Sequence, residues 1–285
     1  MNAIAARPDE NLQLSLELLY DKNQLMPRVR AEFIDCKDFN FIHYCEEQGI
    51  PSDFGIDLLA HMAIRKRANV PTLVGCLWHH FKDSQTTADF LQRAAEADLV
   101  DLHQVQSPYD NELKWEFVVK FGISDDVQRE LDKFQYPLPM VIQPRKVESN
   151  LDSGYLNRKE SVILRDNHHN DDVCLDHINR MNAIPFAINM TVAKAIQNKW
   201  KGIDKRKKDE TWEDYRKRRK AFDKYNAVAK DVLALLTKQG NRIYLTHKYD
   251  KRGRTYCMGF HVTYQGTDWN KSVLELADKE YVLDE

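Results

Sequence analysis

Tyr249-Asp250-Lys251-Arg252-Gly253-Arg254-Thr255-Tyr256 lies between two stretches of strand character. Arg242 to His247 alternates before it, and Thr255 to Val262 is rich in β-branched and aromatic residues after it. The pattern predicts strand, tight basic turn, strand. Gly253 has no Cβ and lets another backbone come close. Arg252 and Arg254 flank it with fixed forks of donors that match phosphate oxygens, and Asp250 is placed to orient an arginine bidentately. A loop of this kind suits a nucleic-acid backbone. The same residues also make an ordinary β-turn with solvated charges.

The sequence on either side of Thr255 adds to this reading. Asp250-Lys251-Arg252-Gly253-Arg254-Thr255-Tyr256 resembles the T/D-x-x-G-R motif of the single-subunit RNA polymerases of phages and mitochondria. Tyr264-Gln265-Gly266-Thr267-Asp268-Trp269-Asn270-Lys271-Ser272-Val273-Leu274 is similar to that family's P-Q-G-x-D-x-x-K-x-x-L segment, in the corresponding place.

Composition agrees with a soluble globular protein: 285 residues, 42% hydrophobic and 30% charged, enough chain for a sizeable core in one or two domains. Met1 to Glu10 lacks the apolar run of a signal peptide. The longest uncharged apolar stretch, Val70 to Phe81, is too short to span a bilayer. Five scattered cysteines without a C-x-x-C point to free thiols in a reducing compartment and away from a zinc ribbon. The net charge of −2 hides a split. Residues 1–140 hold 14 Lys+Arg against 23 Asp+Glu, net −9, and residues 141–285 hold 28 against 21, net +7. The basic half fits a nucleic-acid partner.

Residues 11–34 and 38–69 read as helical, with Leu12, Leu16 and Leu19, then Phe54, Leu58, His61 and Met62, at helix spacing. Ser52-Asp53 after Pro51 predicts a helix start, and Thr86-Thr87-Ala88-Asp89 opens a helix through Ala97. His79-His80 is a ligand-like pair, but neighbours in sequence do not share a helix face, so it reads as packing or surface. From Leu99 to Phe121, alternation on both sides of Ser107-Pro108-Tyr109-Asp110-Asn111 predicts a β-hairpin with an aromatic tip. Such a hairpin is either a small structural one or a wedge between DNA strands, because unpaired bases stack on aromatic rings. Val100-Asp101-Leu102-His103 and the hairpin after it resemble the stretch leading into the intercalating hairpin of the phage enzymes. That resemblance implies a strand-separating role for Ser107, Pro108, Tyr109, Asp110 and Asn111.

Tyr136 to Lys146 is Pro-rich and extended, the mark of a linker or strap. Pro139-Met140-Val141 with Pro144, then Gly154-Tyr155, resembles the family's P-M-V-x-P-P…G-G-Y-W, with Gln143 for a proline, one glycine fewer and Leu156 for the tryptophan. Arg165 and His168 fall near an R-x-H of the family. His168 to His177 carries imidazole, carboxylate and thiolate groups within ten residues. Their spacing is tighter than usual metal motifs, and the stretch also reads as a polar lead-in with acids at a helix N-terminus. Asn179 to Asn189 is similar to the family's N-x-L-Q-x-T-P-W-x-I-N. Pro185 suits the first turn of a helix, and Ile188, Val192, Ile196 and Trp200 make one apolar stripe.

Residues 199–224 hold twelve Lys+Arg and six acids. A basic loop, Lys205 to Lys208, precedes a helix that starts at Thr211 with a Thr-x-x-Asp cap and runs to Gly240. Arg216, Arg218, Arg219 and Lys220 lie near its start. They read as a solvated face, or, by the resemblance, as the family's thumb, two long helices that touch the phosphates of an RNA–DNA hybrid.

The resemblances run in family order over residues 99–277 and lead to one expectation. The fold is α+β and mainly helical. A helical N-terminal domain covers 1–140, with the hairpin at 99–121. A connecting segment covers 141–184, thumb-like helices 185–240, and the start of a right-hand polymerase palm 241–285. The resemblance implies nucleic-acid contacts for Asp250, Arg252, Gly253, Arg254, Tyr256 and Lys271. In this family the two metal-binding aspartates, the catalytic lysine and a nucleotide-binding tyrosine come after the Lys271 region, so no catalytic or metal residue is expected here. The expected protein is the N-terminal subunit of a split, heterodimeric phage RNA polymerase in the cytoplasm of an infected bacterium. Mg2+ would be held by the C-terminal catalytic partner, and an accessory DNA-binding protein would assist at promoters. A stand-alone DNA- or RNA-binding regulator and a metal-dependent nuclease using His168–His177 are the alternatives.

Overall fold

The computed structural model describes residues 9–20, 25–106 and 112–279. In chain order the elements are α1 (Glu10–Tyr20), α2 (Met26–Ile34), α3 (Phe41–Glu47), α4 (Ser52–Arg65), β1 (Arg67–Asn69), α5 (Val70–Leu77), a 3-10 turn (Trp78–His80), α6 (Ser84–Glu96), β2 (Asp101–Gln106), β3 (Leu113–Val118), α7 (Asp125–Lys133), α8 (Leu175–Asn182), β4 (Pro185–Ile188), α9 (Met190–Ala195), α10 (Trp212–Lys238), β5 (Ile243–Tyr244), β6 (His247–Tyr249), β7 (Thr255–Cys257), α11 (Asp268–Ser272) and β8 (Leu274–Leu276). The mixture is α+β, with helix predominating. No described helix is long and apolar enough to cross a membrane, and all five cysteines are free thiols.

Two compact units form. Described residues 25–106 and 112–131 build one, and 9–20 with 132–279 build the other. The expected 1–140 domain is therefore divided, and the reason lies in α1. Gln13 Oε1 accepts from the Val141 amide at 2.8 Å, and Glu17 accepts from the Leu156 and Asn157 amides at 3.0 and 2.8 Å. Two buried polar side chains of α1 thus satisfy backbone donors of the connecting segment 141–184, which ties the helix to that unit.

The first unit is organised on α4. Phe54, Gly55, Ile56, Asp57, Leu58, Leu59, Ala60, Met62 and Ala63 are all buried, so the helix is enclosed on almost every side. Lys66 then turns to a φ of +66°, and residues 67–69, expected inside a helix, instead pair with β3. The sheet order is β1-β3-β2, antiparallel throughout. The helix expected to open at Thr86 starts earlier, because the Asp83 carboxylate accepts from the Thr86 amide at 2.7 Å and caps α6. The hairpin is present as β2 and β3. Its tip, Ser107 to Asn111, lies outside the described residues.

In the second unit the strap does what its composition suggested. The Met140 and Tyr244 backbones exchange hydrogen bonds of 2.9 and 2.8 Å, and the Tyr249 amide donates to Val162 while its carbonyl accepts from Leu164. Pro185 does not open a helix. It begins β4, which lies between β5 and β8, and its carbonyl accepts from Ala277. A proline is tolerated at the first residue of a strand. Asn189 then caps the six-residue α9. The stripe from Ile188 to Trp200 is thereby cut into strand, short helix and loop. Ile188 is buried and Ile196 exposed. Of the two long helices expected over 185–240, the described residues hold one, α10, 27 residues and roughly 40 Å long. Thr211 caps it through the Asp214 amide at 3.1 Å, and Gly240 comes after its end at a φ of +97°.

Gly259 supports a sharp reversal after β7, where a Cβ would overlap the Val262 carbonyl oxygen. Gly259→Ala is expected to cost on the order of 2–3 kcal/mol. Gly75→Ala, at an exposed helical position with open space around it, is expected to stabilise by ~0.5–1 kcal/mol. Urea unfolding of the two variants checks both signs.

Candidate nucleic-acid interface

The turn after β6 is built by one carboxylate. The Asp250 carbonyl accepts from the Gly253 amide at 2.9 Å, and the Asp250 amide donates to the Arg254 carbonyl at 2.9 Å. Asp250 Oδ1 accepts from the Arg252 and Arg254 amides at 2.9 and 3.0 Å. Asp250 Oδ2 accepts from Nε and Nη2 of Arg254 at 2.8 and 2.6 Å. Gly253 takes a φ of +76°, a region that L residues with a Cβ rarely enter. The backbone itself thus favours glycine here, while the space a Cβ would occupy is open.

The Arg254 guanidinium lies 5.6 Å from the centre of the Tyr256 ring, a cation–π contact. Asp250 thus holds Arg254 through Nε and Nη2, and the Tyr256 ring lies beneath it. The Arg252 Nε stands 3.7 Å from Asp250 Oδ2 with its side chain mostly exposed. Burial pushes the Asp250 carboxyl upward. The hydrogen bonds from the Arg254 side chain and from the Arg254 and Arg252 amides outweigh this and hold it at about 2. The anion that organises the turn is therefore ionised throughout the physiological range.

Segments distant in sequence converge on β6 and β7. Gln265 Oε1 accepts from the Cys257 amide at 2.8 Å and its Nε2 donates to the Thr255 carbonyl at 3.1 Å, so one side chain pairs with β7 as a strand backbone would. His247 of β6 is buried between α8 and the loop before α11. Its Nδ1–H donates to Asn182 Oδ1 at 2.9 Å, and Nε2 accepts from the Tyr264 hydroxyl at 2.7 Å. Thr246 Oγ1 donates to the Tyr155 hydroxyl at 3.2 Å. Asn270 completes a capping box with Thr267, and its Nδ2 donates to the His261 carbonyl at 2.9 Å and the Tyr225 hydroxyl at 3.2 Å, joining α11 to α10. Gly266 is needed here, since a Cβ would stand 2.6 Å from Asn270 Oδ1. Gln265 stands at the glutamine of the P-Q-G resemblance, but its pairing with β7 did not show in the sequence; His247 and Asn270 had only adjacency to motif residues as a signal.

The basic residues of α10 divide into two kinds. Arg218 donates to Glu210 through Nε and Nη2, both at 2.7 Å, and to the Gly202 and Lys205 carbonyls at 3.0 Å. It clamps the basic loop before the helix and is committed within the chain. Arg216, Arg219 and Lys220 are exposed and, among the described residues, have no hydrogen-bond or ion-pair partner. Arg219 also lines a cleft of about 710 Å3 between α9 and α10, with Lys194, Lys230, Phe222 and Trp269. Lys271 is exposed on α11. His168 meets Ser161 at 2.8 Å and His177 meets Thr255 at 3.1 Å, so the His168–His177 stretch gathers no group of metal-ligand atoms among the described residues.

In the other unit, the hairpin carries an apolar face. Leu102 pairs with Phe117, and Gln104 with Trp115. Phe117 is buried, while Trp115 is 49% and Leu113 62% exposed.

Burial first, and then the charge of His177, lowers the pKa of His247 to about 4, and burial lowers that of His261 to about 4. An unfolded histidine titrates near ~6.5. Between those values the unfolded chain binds protons that the folded chain refuses, so stability is complete above about pH 6.5 and falls as the pH drops toward 4. Urea unfolding at pH 7.5 and 4.5 is expected to show this loss, with a slope of up to ~1.4 kcal/mol per pH unit for each histidine, reduced in His247→Gln.

No protein-family model matches the chain. A protein of Agaricus bitorquis described as a probable DNA-directed RNA polymerase is 27% identical over 171 residues, covering 51% of this chain and 16% of that protein. The chain thus spans a small part of the length of this relative, and the similarity links it to RNA polymerases.

Proposed function

We propose that the chain holds nucleic acid for a DNA-directed RNA polymerase of the single-subunit, phage and mitochondrial type. In this reading it is the N-terminal subunit of a heterodimer whose partner carries the metal-binding aspartates and Mg2+. The observation that carries the reading is the convergence on strands β5 to β7, which lead into and out of one turn. The segments Met140–Val141, Gly154–Tyr155, Asn179–Asn189 and Tyr264–Lys271 are far apart in sequence, and all resemble the same family. Each makes hydrogen bonds to strands β5 to β8 or to the loops between them. Accidental motif matches have no reason to assemble around one site. The similarity to a probable DNA-directed RNA polymerase supports the same class.

The roles rest on geometry. Arg254, fixed on both sides, offers one oriented guanidinium edge to a template or hybrid phosphate, with Arg252 and Lys271 adding charge. Tyr256 supports Arg254. Arg216, Arg219 and Lys220 contact phosphates along the hybrid, while Arg218 shapes the loop beside them. Leu113 and Trp115 line the side of the hairpin, so the strand-separating surface extends below the Ser107–Asn111 tip.

Primer extension on a DNA template, with this chain alone and with the candidate catalytic partner, tests the proposal. Synthesis in the mixture alone is expected. Nucleic-acid binding with no synthesis in either would favour the regulator reading. Arg254→Ala is expected to lower synthesis by the mixture about 10- to 100-fold, the worth of a charge-assisted hydrogen bond at ~1.5–3 kcal/mol, with subunit association intact. Trp115→Ala is expected to slow synthesis on closed duplex far more than on a template with a pre-melted bubble.

A further inference from the structure

A second constellation lies in the unit built on α4. The Asp57 carboxylate is buried in α4, and His79 and His80 reach it from the 3-10 turn. Neighbouring residues were expected to diverge. Here the two rings lie side by side, with centroids 4.2 Å apart. His79 Nε2 is 3.4 Å and His80 Nε2 2.8 Å from the same oxygen, Asp57 Oδ2. The three atoms all lie within 4.8 Å of one another.

Proton placement decides what this cluster can do. His79 Nδ1 is 3.2 Å from the Cys76 carbonyl. A carbonyl only accepts, so Nδ1 carries the proton, and a neutral His79 turns the Nε2 lone pair toward Asp57 Oδ2. Two electron-rich atoms then face each other, an arrangement that a bound cation, like a second proton, would reconcile. An imidazole whose far nitrogen donates to a backbone carbonyl is also the usual arrangement of a metal-bound histidine. The other carboxylate oxygen, Oδ1, is taken by Arg30 Nη1, and Arg30 in turn reaches Asp53. This ion pair fixes the carboxylate and leaves Oδ2 for the cluster.

We propose that Asp57 Oδ2, His79 Nε2 and His80 Nε2 bind one divalent transition-metal ion of the Zn2+ class. Around tetrahedral zinc, with bonds of ~2.0–2.1 Å, ligand atoms stand about 3.3 Å apart; His79 Nε2 is already at 3.4 Å from Asp57 Oδ2, and His80 Nε2, now at the hydrogen-bond distance of 2.8 Å, would open by about 0.5 Å on binding. Two imidazoles and one carboxylate suit Zn2+, Co2+ or Ni2+ and discriminate against Mg2+. The His79 side chain is 60% exposed, so water reaches the fourth position. The ion would clamp the 3-10 turn to α4. This site is separate from the polymerase reading and stands or falls without it.

The test uses the full chain, stripped with chelator and titrated with CoCl2 and ZnCl2 at pH 7.5. One Co2+ per chain is expected, with the visible absorption of a four- or five-coordinate ion, displaced by Zn2+, and Zn2+ raises the unfolding temperature. His79→Ala, exposed enough to leave folding intact, is expected to weaken Zn2+ binding at least tenfold. His103→Ala, on the exposed surface of β2, leaves it unchanged. Absence of saturable binding, binding undiminished in His79→Ala, or an equal thermal shift with Mg2+ each overturns the proposal.

Discussion

The imidazole of His247 meets the Asn182 amide oxygen on one side and the Tyr264 hydroxyl on the other, and burial keeps it neutral in that place. Asn182 and Tyr264 supply the two partners, and each belongs to a segment that must arrive at the right depth for the ring to be satisfied. A buried polar group left without its partner costs ~1–3 kcal/mol. The ring therefore sets the register of α8 and of the loop before α11 against β6. The turn from Asp250 to Arg254 leaves the far end of that same strand, and its geometry inherits this register.

Above this frame the turn is a self-contained device. One carboxylate collects two amides and two guanidinium donors, and the glycine takes the one backbone conformation that closes the ring of hydrogen bonds. The arginine is thus positioned before any ligand arrives, which lowers the entropy lost on binding. The basic face of α10 works by a different logic. Arg216, Arg219 and Lys220 are long and exposed, with rotatable stems that no described partner holds in one geometry.

The turn was legible in the sequence because everything it needs lies within five residues: acid, glycine, arginine and the flanking alternation. The α10 cap and its Gly240 stop were legible for the same reason. The features that stayed hidden depended on partners far away in the chain. Ile188, Val192, Ile196 and Trp200 keep helical spacing, yet β5 and β8 claim Pro185 to Ile188 as a strand. Arg218 looks like its neighbours until Glu210 folds back onto it. Gln265 matches a motif glutamine, but what it does, pairing with β7 as a strand would, shows only in the fold. His79 and His80 were set aside on the geometry of a regular helix, and the 3-10 turn places them otherwise.

The hairpin has one more consequence. In the β1-β3-β2 sheet, β2 is an edge strand whose outer backbone groups are unpaired by the sheet, and the face it shares with β3 shows Leu102, Leu113 and Trp115 to water. An open edge beside apolar side chains is a template for adding another strand. The same face is thus a surface by which copies of the chain would adhere, and solubility of the free protein then depends on something covering it.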